Sequence, residues 1–459
     1  MSSSTAPDPY TLDPSKVEDP PKTLLSSLKH IGPGFILSAC IVGSGELVAT
    51  TTLGAEAGFI ALWVILVSCL VKVAVQVEFG KHAIIVGKPT FASLNHLPGP
   101  KLGKANWSIW TWLFLMIFKF LQVGAIIGMV GILLNMAIPA LSIEIWLAVS
   151  VIAVGVIVSG GYYKLIERLS VIMIGLFTIF TLISLIALQM GPEAVKMGEV
   201  LSGLTFSLPS DNALMLLVIG AFGITGVGGD EIMAYNYWLI EKGYAAKTGE
   251  NDGSDEWAQR ARGWTKVMMI DAVTAMLVYT IVTAAFYVLG AGLLHGRGSV
   301  PDSGGEFLAY LATMYTTTLG DWAEPLFYCG AFVVLFSTTF AALAAWTRQF
   351  ADAFGQVGVF NFSNLKTRRR WIMGLAWVIP TLWAIVFLAI KKPVFMVFAG
   401  GFVTSIILLV VLYAAIHFKK KHADPRMDFG KGFSIWFWAS ALLIVLVGIW
   451  SMAKPFLNM

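Results

Sequence analysis

Charge is scarce in this sequence: Asp, Glu, Lys and Arg make up 13% of its 459 residues, against 57% hydrophobic. That is about half the charge of an ordinary soluble domain, which excludes the water-soluble class. Cysteine is scarce too. Cys40, Cys69 and Cys329 stand far apart within apolar runs, which excludes a CxxC metal knuckle, gives no disulfide framework, and leaves them as small core residues. The first thirty residues, rich in Ser, Pro, Asp and Lys, lack the short apolar core and small-residue cleavage site of a signal peptide. They are expected to form a disordered tail. No Ser/His pair or His-based zinc motif falls inside the apolar runs, so neither an enzyme nor a cofactor is expected, and His82 and His96 are too isolated in their loop to suggest a metal site. A carbonyl filter sequence and a soluble effector domain are also missing, which disfavours a channel or a membrane sensor. The acidic loop Gly249 to Glu256 lacks the spacing of an EF-hand and is expected to be a solvated linker.

What the sequence does contain is a series of apolar runs of the length that crosses a bilayer. They predict an all-α membrane protein with eleven transmembrane helices, over 31–53, 57–80, 108–133, 144–160, 169–190, 212–240, 264–294, 323–347, 371–390, 394–417 and 433–453. The expected partners are the lipid bilayer and a small solute or ion, with no nucleic acid. Of the 31 Lys and Arg residues, only Lys196, Arg297, Lys391, Lys392 and Lys454 fall in the connections of one side. The bias places the protein in the cell membrane with its N-terminus cytoplasmic and its C-terminus outside. Lys391 and Lys392, in a tight hairpin before Pro393, are the departure from it.

An internal repeat refines the picture. "VGSGELVA" at Val42 to Ala49 aligns without a gap on "VGGDEIMA" at Val227 to Ala234, in the first and sixth runs. Five helices per repeat would insert the second copy upside down. The expected organisation is therefore a tail over 1–30, a five-helix repeat over 31–190, an inverted second repeat over 212–417, and an extra C-terminal helix over 433–453.

Glycine costs about 1 kcal/mol relative to alanine inside a helix, so Gly43 and Gly45, and Gly223, Gly226, Gly228 and Gly229, are poor choices for continuous helices. They predict that the first and sixth helices are both discontinuous, and opened backbone at membrane depth survives only where it lines a buried site. Glu46, Asp230 and Glu231 fall at the same places, each costing about 2.5 to 3.5 kcal/mol unless a cation, a proton or a lysine offsets it. Structural pairing of the acids is the plain alternative. Lys72 and Lys119, with Gln122 one turn on, are the lysines inside the runs; either can reach an acid and stand in for a bound cation, or snorkel to the interface. Asp271 is expected to cap its own helix. Ser337, Thr338 and Thr339 in the eighth run, and Gly400, Gly401, Thr404 and Ser405 in the tenth, are expected to serve packing.

Several stretches resemble the Nramp family of proton-coupled divalent-metal transporters, which shares the inverted-repeat fold of the bacterial leucine transporter. They are "IGPGF" at Ile31, "GAEAGFIALWVILVS" at Gly54, "VGKPTF" at Val86, "GGYYKLIERLSVIMIGLF" at Gly160 and "IGAFG" at Ile219. The resemblance implies a secondary transporter working by alternating access. It departs at the site. The family's Asp-Pro-Gly-Asn becomes Gly43, Ser44, Gly45, Glu46, and its Met-Pro-His positions fall on Ile224, Thr225 and Gly226. With no thioether left, the expected cargo is a hard divalent ion held by Glu46, Asp230 and Glu231, with Lys72, Lys119 and Gln122 tuning charge. A small organic solute, cradled by opened backbone, remains the alternative.

Overall fold

The computed structural model describes residues 8–160, 163–422 and 424–457. For some of these, including Cys40 and Ser44, only the backbone is described, so the expected roles of those two side chains lie outside the described residues. The chain is helical apart from short connections and a two-stranded hairpin pairing Lys101–Leu102 with Ala105–Asn106. Helices occupy all eleven expected ranges. Among the described residues nine are long and apolar enough to cross a membrane, with a shorter apolar helix at Gly175–Met190. This is a multi-pass membrane protein. The helical segments are numbered below in the order of the eleven ranges.

Boundaries move where local caps outweigh hydropathy. The seventh segment starts at Asp255, not near 264, because Ser254 caps it by accepting the Trp257 N–H at 3.0 Å. The eighth runs from Ala323 to Val357 and stops at Gly358, whose φ of +95° a side chain would disfavour. Between them lies an unanticipated helix, Gly304–Leu319, that buries Phe307, Leu308, Leu311 and Tyr315 along one stripe. Its other face is polar, which keeps it below the hydropathy of a crossing helix.

Lys391 and Lys392 now have an explanation. Lys391 adopts the left-handed conformation that ends the ninth segment, Leu365–Ile390, and its N–H returns to Phe387 O at 2.8 Å. Lys392 pairs with Asp302 at 3.0 Å. Close approach of the sixth segment to the tenth, Pro393–Lys421, explains two glycines. A Cβ on Gly223 would overlap Gly401 O, and a Cβ on Gly401 would overlap Gly220 O.

The tail is held from Asp8 onward. Tyr10 donates to Glu241 at 2.6 Å, and Arg348 reaches the same carboxylate at 2.6 and 3.0 Å. Asp8 pairs with buried Arg368 at 2.6 Å, and that guanidinium stacks over Tyr10 and Phe362. Glu18 meets Lys247 at 2.8 Å and its carbonyl accepts the Trp264 indole at 2.9 Å. These contacts lay residues 8–18 as a strap across one end of the sixth, seventh, eighth and ninth segments. Composition alone could not anticipate it, because each anchoring partner lies more than two hundred residues along the chain.

Candidate functional site

The sixth segment opens where its glycines stand. Helix Asn212–Ile224 ends, Thr225 turns extended, Gly226 takes φ +70°, and a second helix, Gly229–Glu241, begins after Gly228. A break at this depth leaves carbonyls on one side and amides on the other without helical partners. Each side receives partners from within the protein.

At the carboxyl end, Lys72 of the second segment, Leu62–Val86, donates to the carbonyls of Phe222, Gly223 (3.0 Å) and Thr225 (2.9 Å). Ser68, one turn earlier, reaches Phe222 O and Thr225 O at 2.9 and 3.0 Å. The expectation that Lys72 meets an acid is corrected: it meets backbone, where the helix dipole is negative. At the amino end, the Glu231 carboxylate reaches back to accept the N–H of Gly228. Asp230 lies 3.1 Å from Lys119 of the third segment, Trp107–Ala137, and both side chains are buried. The same ammonium donates to Thr404, so Lys119 does pair with an acid of the broken helix, and neither lysine snorkels.

The first segment behaves differently. Pro33–Ile41 is α-helical, Val42–Thr50 winds on as a π-helix, and Thr51–Ala57 resumes the α form. The expected discontinuity is thus a change of winding and not a gap. The hydroxyls of Thr50 and Thr51 bond the carbonyls five residues back, Gly45 and Glu46, both at 3.1 Å, supporting the wide turn. Asp271 is likewise reassigned. It accepts the N–H groups of Gly32 (2.8 Å) and Gly34 (2.6 Å) at the start of the first segment, and the Tyr235 hydroxyl at 2.9 Å, so it caps a neighbour and not its own helix.

Glu46 is fully buried, with Oε1 accepting from Thr283 at 2.8 Å and Oε2 without a hydrogen-bond partner among the described residues. Gly43 faces the eighth segment so closely that a Cβ there would overlap the Thr338 hydroxyl. Thr338 fills the room that a longer residue 43 would need. Gly45 is covered by Ile224, and a Cβ on Gly229 would lie 2.8 Å from Leu408 N, so these glycines serve close packing. The Thr225 hydroxyl is buried and has no hydrogen-bond partner among the described residues.

A cavity of about 30 Å³ lies against the amino end of the break, lined by Lys119, Gln122, Asp230, Glu231 and Thr338 with Leu37 and Trp346 among its apolar walls. That is room on the scale of one or two waters or an ion. Gln122 Oε1 is buried there and has no hydrogen-bond partner among the described residues. Glu46 does not line it, so the three acids share a neighbourhood but not one hollow. Among the described residues no group of three or more His, Cys, Asp or Glu side chains is placed to hold a metal ion. Sequence reasoning missed Thr283 and Ser68; the Ser68 to Lys72 spacing of one helical turn was the available signal. It also missed that His82 Nδ1 lies 2.8 Å from His422 Nε2, so that histidine is not isolated.

The family model described as natural resistance-associated macrophage protein-like matches residues 34–454. The chain is 27% identical over 327 residues to an uncharacterised protein of Pasteurella multocida, covering 70% of each. It is 24% identical over 308 residues to the divalent metal cation transporter MntH of Latilactobacillus sakei, covering 66% of this chain and 62% of that one. A solved mutant of the Eremococcus coleocola manganese transporter superposes with a TM-score of 0.68 at 14% identity, covering 96% of this chain and 90% of the other. MhsT in complex with L-phenylalanine superposes at 0.54 with 16% identity, covering 95% and 99%. At such identities the likeness concerns the fold, that of leucine-transporter-like proteins.

Proposed function

The chain belongs to the Nramp family, and from that membership we propose that it is a secondary transporter carrying a small cation, foremost a divalent metal ion, by proton-coupled alternating access. The observation that carries this reading is the opening of the sixth segment at Thr225 to Gly228, deep in the bundle and beside Glu46, Asp230 and Glu231. Irregular backbone is tolerated at that depth where it serves a solute. MntH relatives are named as divalent metal cation transporters, and their cargo class is carried over here. An oxygen-rich set without thioether or imidazole suits Mg²⁺ or Mn²⁺. The proposal includes a cytoplasmic N-terminus, an outside C-terminus, and inverted repeats over 31–190 and 212–417.

One observation favours a second reading, transport of a small organic solute. Two groups that would attract a free cation already hold ammonium ions: Asp230 holds Lys119, and the carbonyls of Phe222, Gly223 and Thr225 hold Lys72. Uptake of Mn²⁺, Mg²⁺ and amino acids into proteoliposomes, with and without a pH gradient, separates the two. The expected result is saturable divalent-ion uptake driven by an inward proton gradient, lost in Glu46→Gln and reduced in Glu231→Gln. The latter change keeps an oxygen for the Gly228 cap and removes only the charge. Divalent uptake unaltered in both variants refutes the site assignment. Saturable amino-acid uptake without any divalent uptake replaces the first reading by the second.

A further inference from the structure

Lys72 is fully buried in a helix that packs against the broken segment. Among the described residues no carboxylate lies within ion-pair distance of its ammonium, in contrast to Lys119, which faces Asp230. What surrounds Lys72 is oxygen of another kind. The carbonyls of Phe222, Gly223 and Thr225 converge on Nζ, the Phe222 ring lies 4.9 Å away, and Ser68 bonds two of the same carbonyls from the side. An ammonium has three donors and no acceptor, so three carbonyls saturate it. They are the last acceptors of helix Asn212–Ile224, the negative pole of its dipole. Converging backbone carbonyls at a helix carboxyl end are the chemistry that binds a bare monovalent cation where helices are interrupted in membranes.

We propose that this is a monovalent-cation site whose occupant is covalently attached: the Lys72 ammonium sits where a free ion such as NH₄⁺ or K⁺ would otherwise bind. The lysine makes the carboxyl end of the break independent of soluble ions and closes it to cargo. A transported ion is thereby confined to the amino end, at Asp230, Glu231 and Gln122, and to Glu46. The confinement of cargo rests on the transporter reading; the tethered cation does not.

Truncating the side chain tests the idea. Lys72→Ala vacates both the charge and its volume, whereas Lys72→Met fills the volume without any donor. In purified protein, NH₄⁺ and K⁺ are expected to raise the Tm of Lys72→Ala in a saturable way, since a ligand that binds only the folded state stabilises it by mass action. Choline, too large for the site, is expected to have no effect, and neither wild type nor Lys72→Met is expected to respond. In proteoliposomes, uptake of Mn²⁺ by both variants is expected to fall about ten- to hundredfold, the loss typical of removing a charged hydrogen-bonding group. Added NH₄⁺ restores uptake in Lys72→Ala alone. If Lys72→Ala does not fold without added cation, it is to be purified in NH₄⁺; failure to recover folded protein there overturns the proposal. So does an equal cation response in Lys72→Met, no response in either variant, or wild-type uptake in Lys72→Met. A wild type that moves no Mn²⁺ removes the cargo argument and leaves the Tm test standing.

Discussion

Two glycine-rich octets, Val42 to Ala49 and Val227 to Ala234, look alike in sequence and meet different fates. The second opens between two helices, while the first keeps winding as a π-helix. Glycine therefore permits an opening and does not decide it. What decides is whether neighbouring helices bring groups that satisfy the freed backbone. The sixth segment receives Lys72 and Ser68 on its carbonyls and carries its own Glu231 for the amide of Gly228. The first receives hydroxyls of its own next turn, Thr50 and Thr51, which support a wide winding rather than a gap.

The largest way to break that contrast is at the amino end of the sixth opening. Asp230→Ala leaves the Lys119 ammonium buried without its counter-charge, and the expected loss is about 3 to 5 kcal/mol of stability in denaturation of the purified protein. Asp230→Leu combined with Lys119→Met is expected to recover most of that loss while leaving transport abolished. A double variant as unstable as the single would show that the pair does more than cancel charge. An intermediate effect is expected at Gly43. Its alanine variant pushes on Thr338 and is expected to lose about 1 to 3 kcal/mol by overpacking. Thr338→Ala in the same chain relieves the clash; a melting temperature unmoved by Gly43→Ala would mean that the two segments do not touch there. The last test is Thr283→Val, which deletes the hydrogen bond to buried Glu46 at nearly constant volume and is expected to cost about 1 to 3 kcal/mol, the penalty of leaving a buried acceptor unsatisfied. A larger loss would mark Glu46 as the anchor of the first segment as well as a site residue.

The helical segments and the opening of the sixth were legible because hydropathy and glycine act locally. The pairing of Lys119 with an acid was legible because a buried charge needs an opposite one. Other features had no local signature. Lys72 binds carbonyls, which every residue possesses, so no side-chain pattern could name its partners. Asp271 caps a helix start 237 residues away at Gly34, and a carboxylate near the beginning of a predicted helix looked like that helix's own cap. Thr338 was read as packing, and that is what it does; the sequence could not say that it packs into the space left by Gly43.

The strap of residues 8–18 has a consequence for how the molecule moves. Asp8 and Tyr10 clip the end of the sixth segment to the eighth and ninth through Glu241, Arg348 and Arg368. A motion that parts those helices on this face must unfasten the clip first. For the alternating access proposed above, residues 8–18 would act as a latch, and a cargo leaving by that door would wait on the peeling of a ribbon and not only on the swing of a helix.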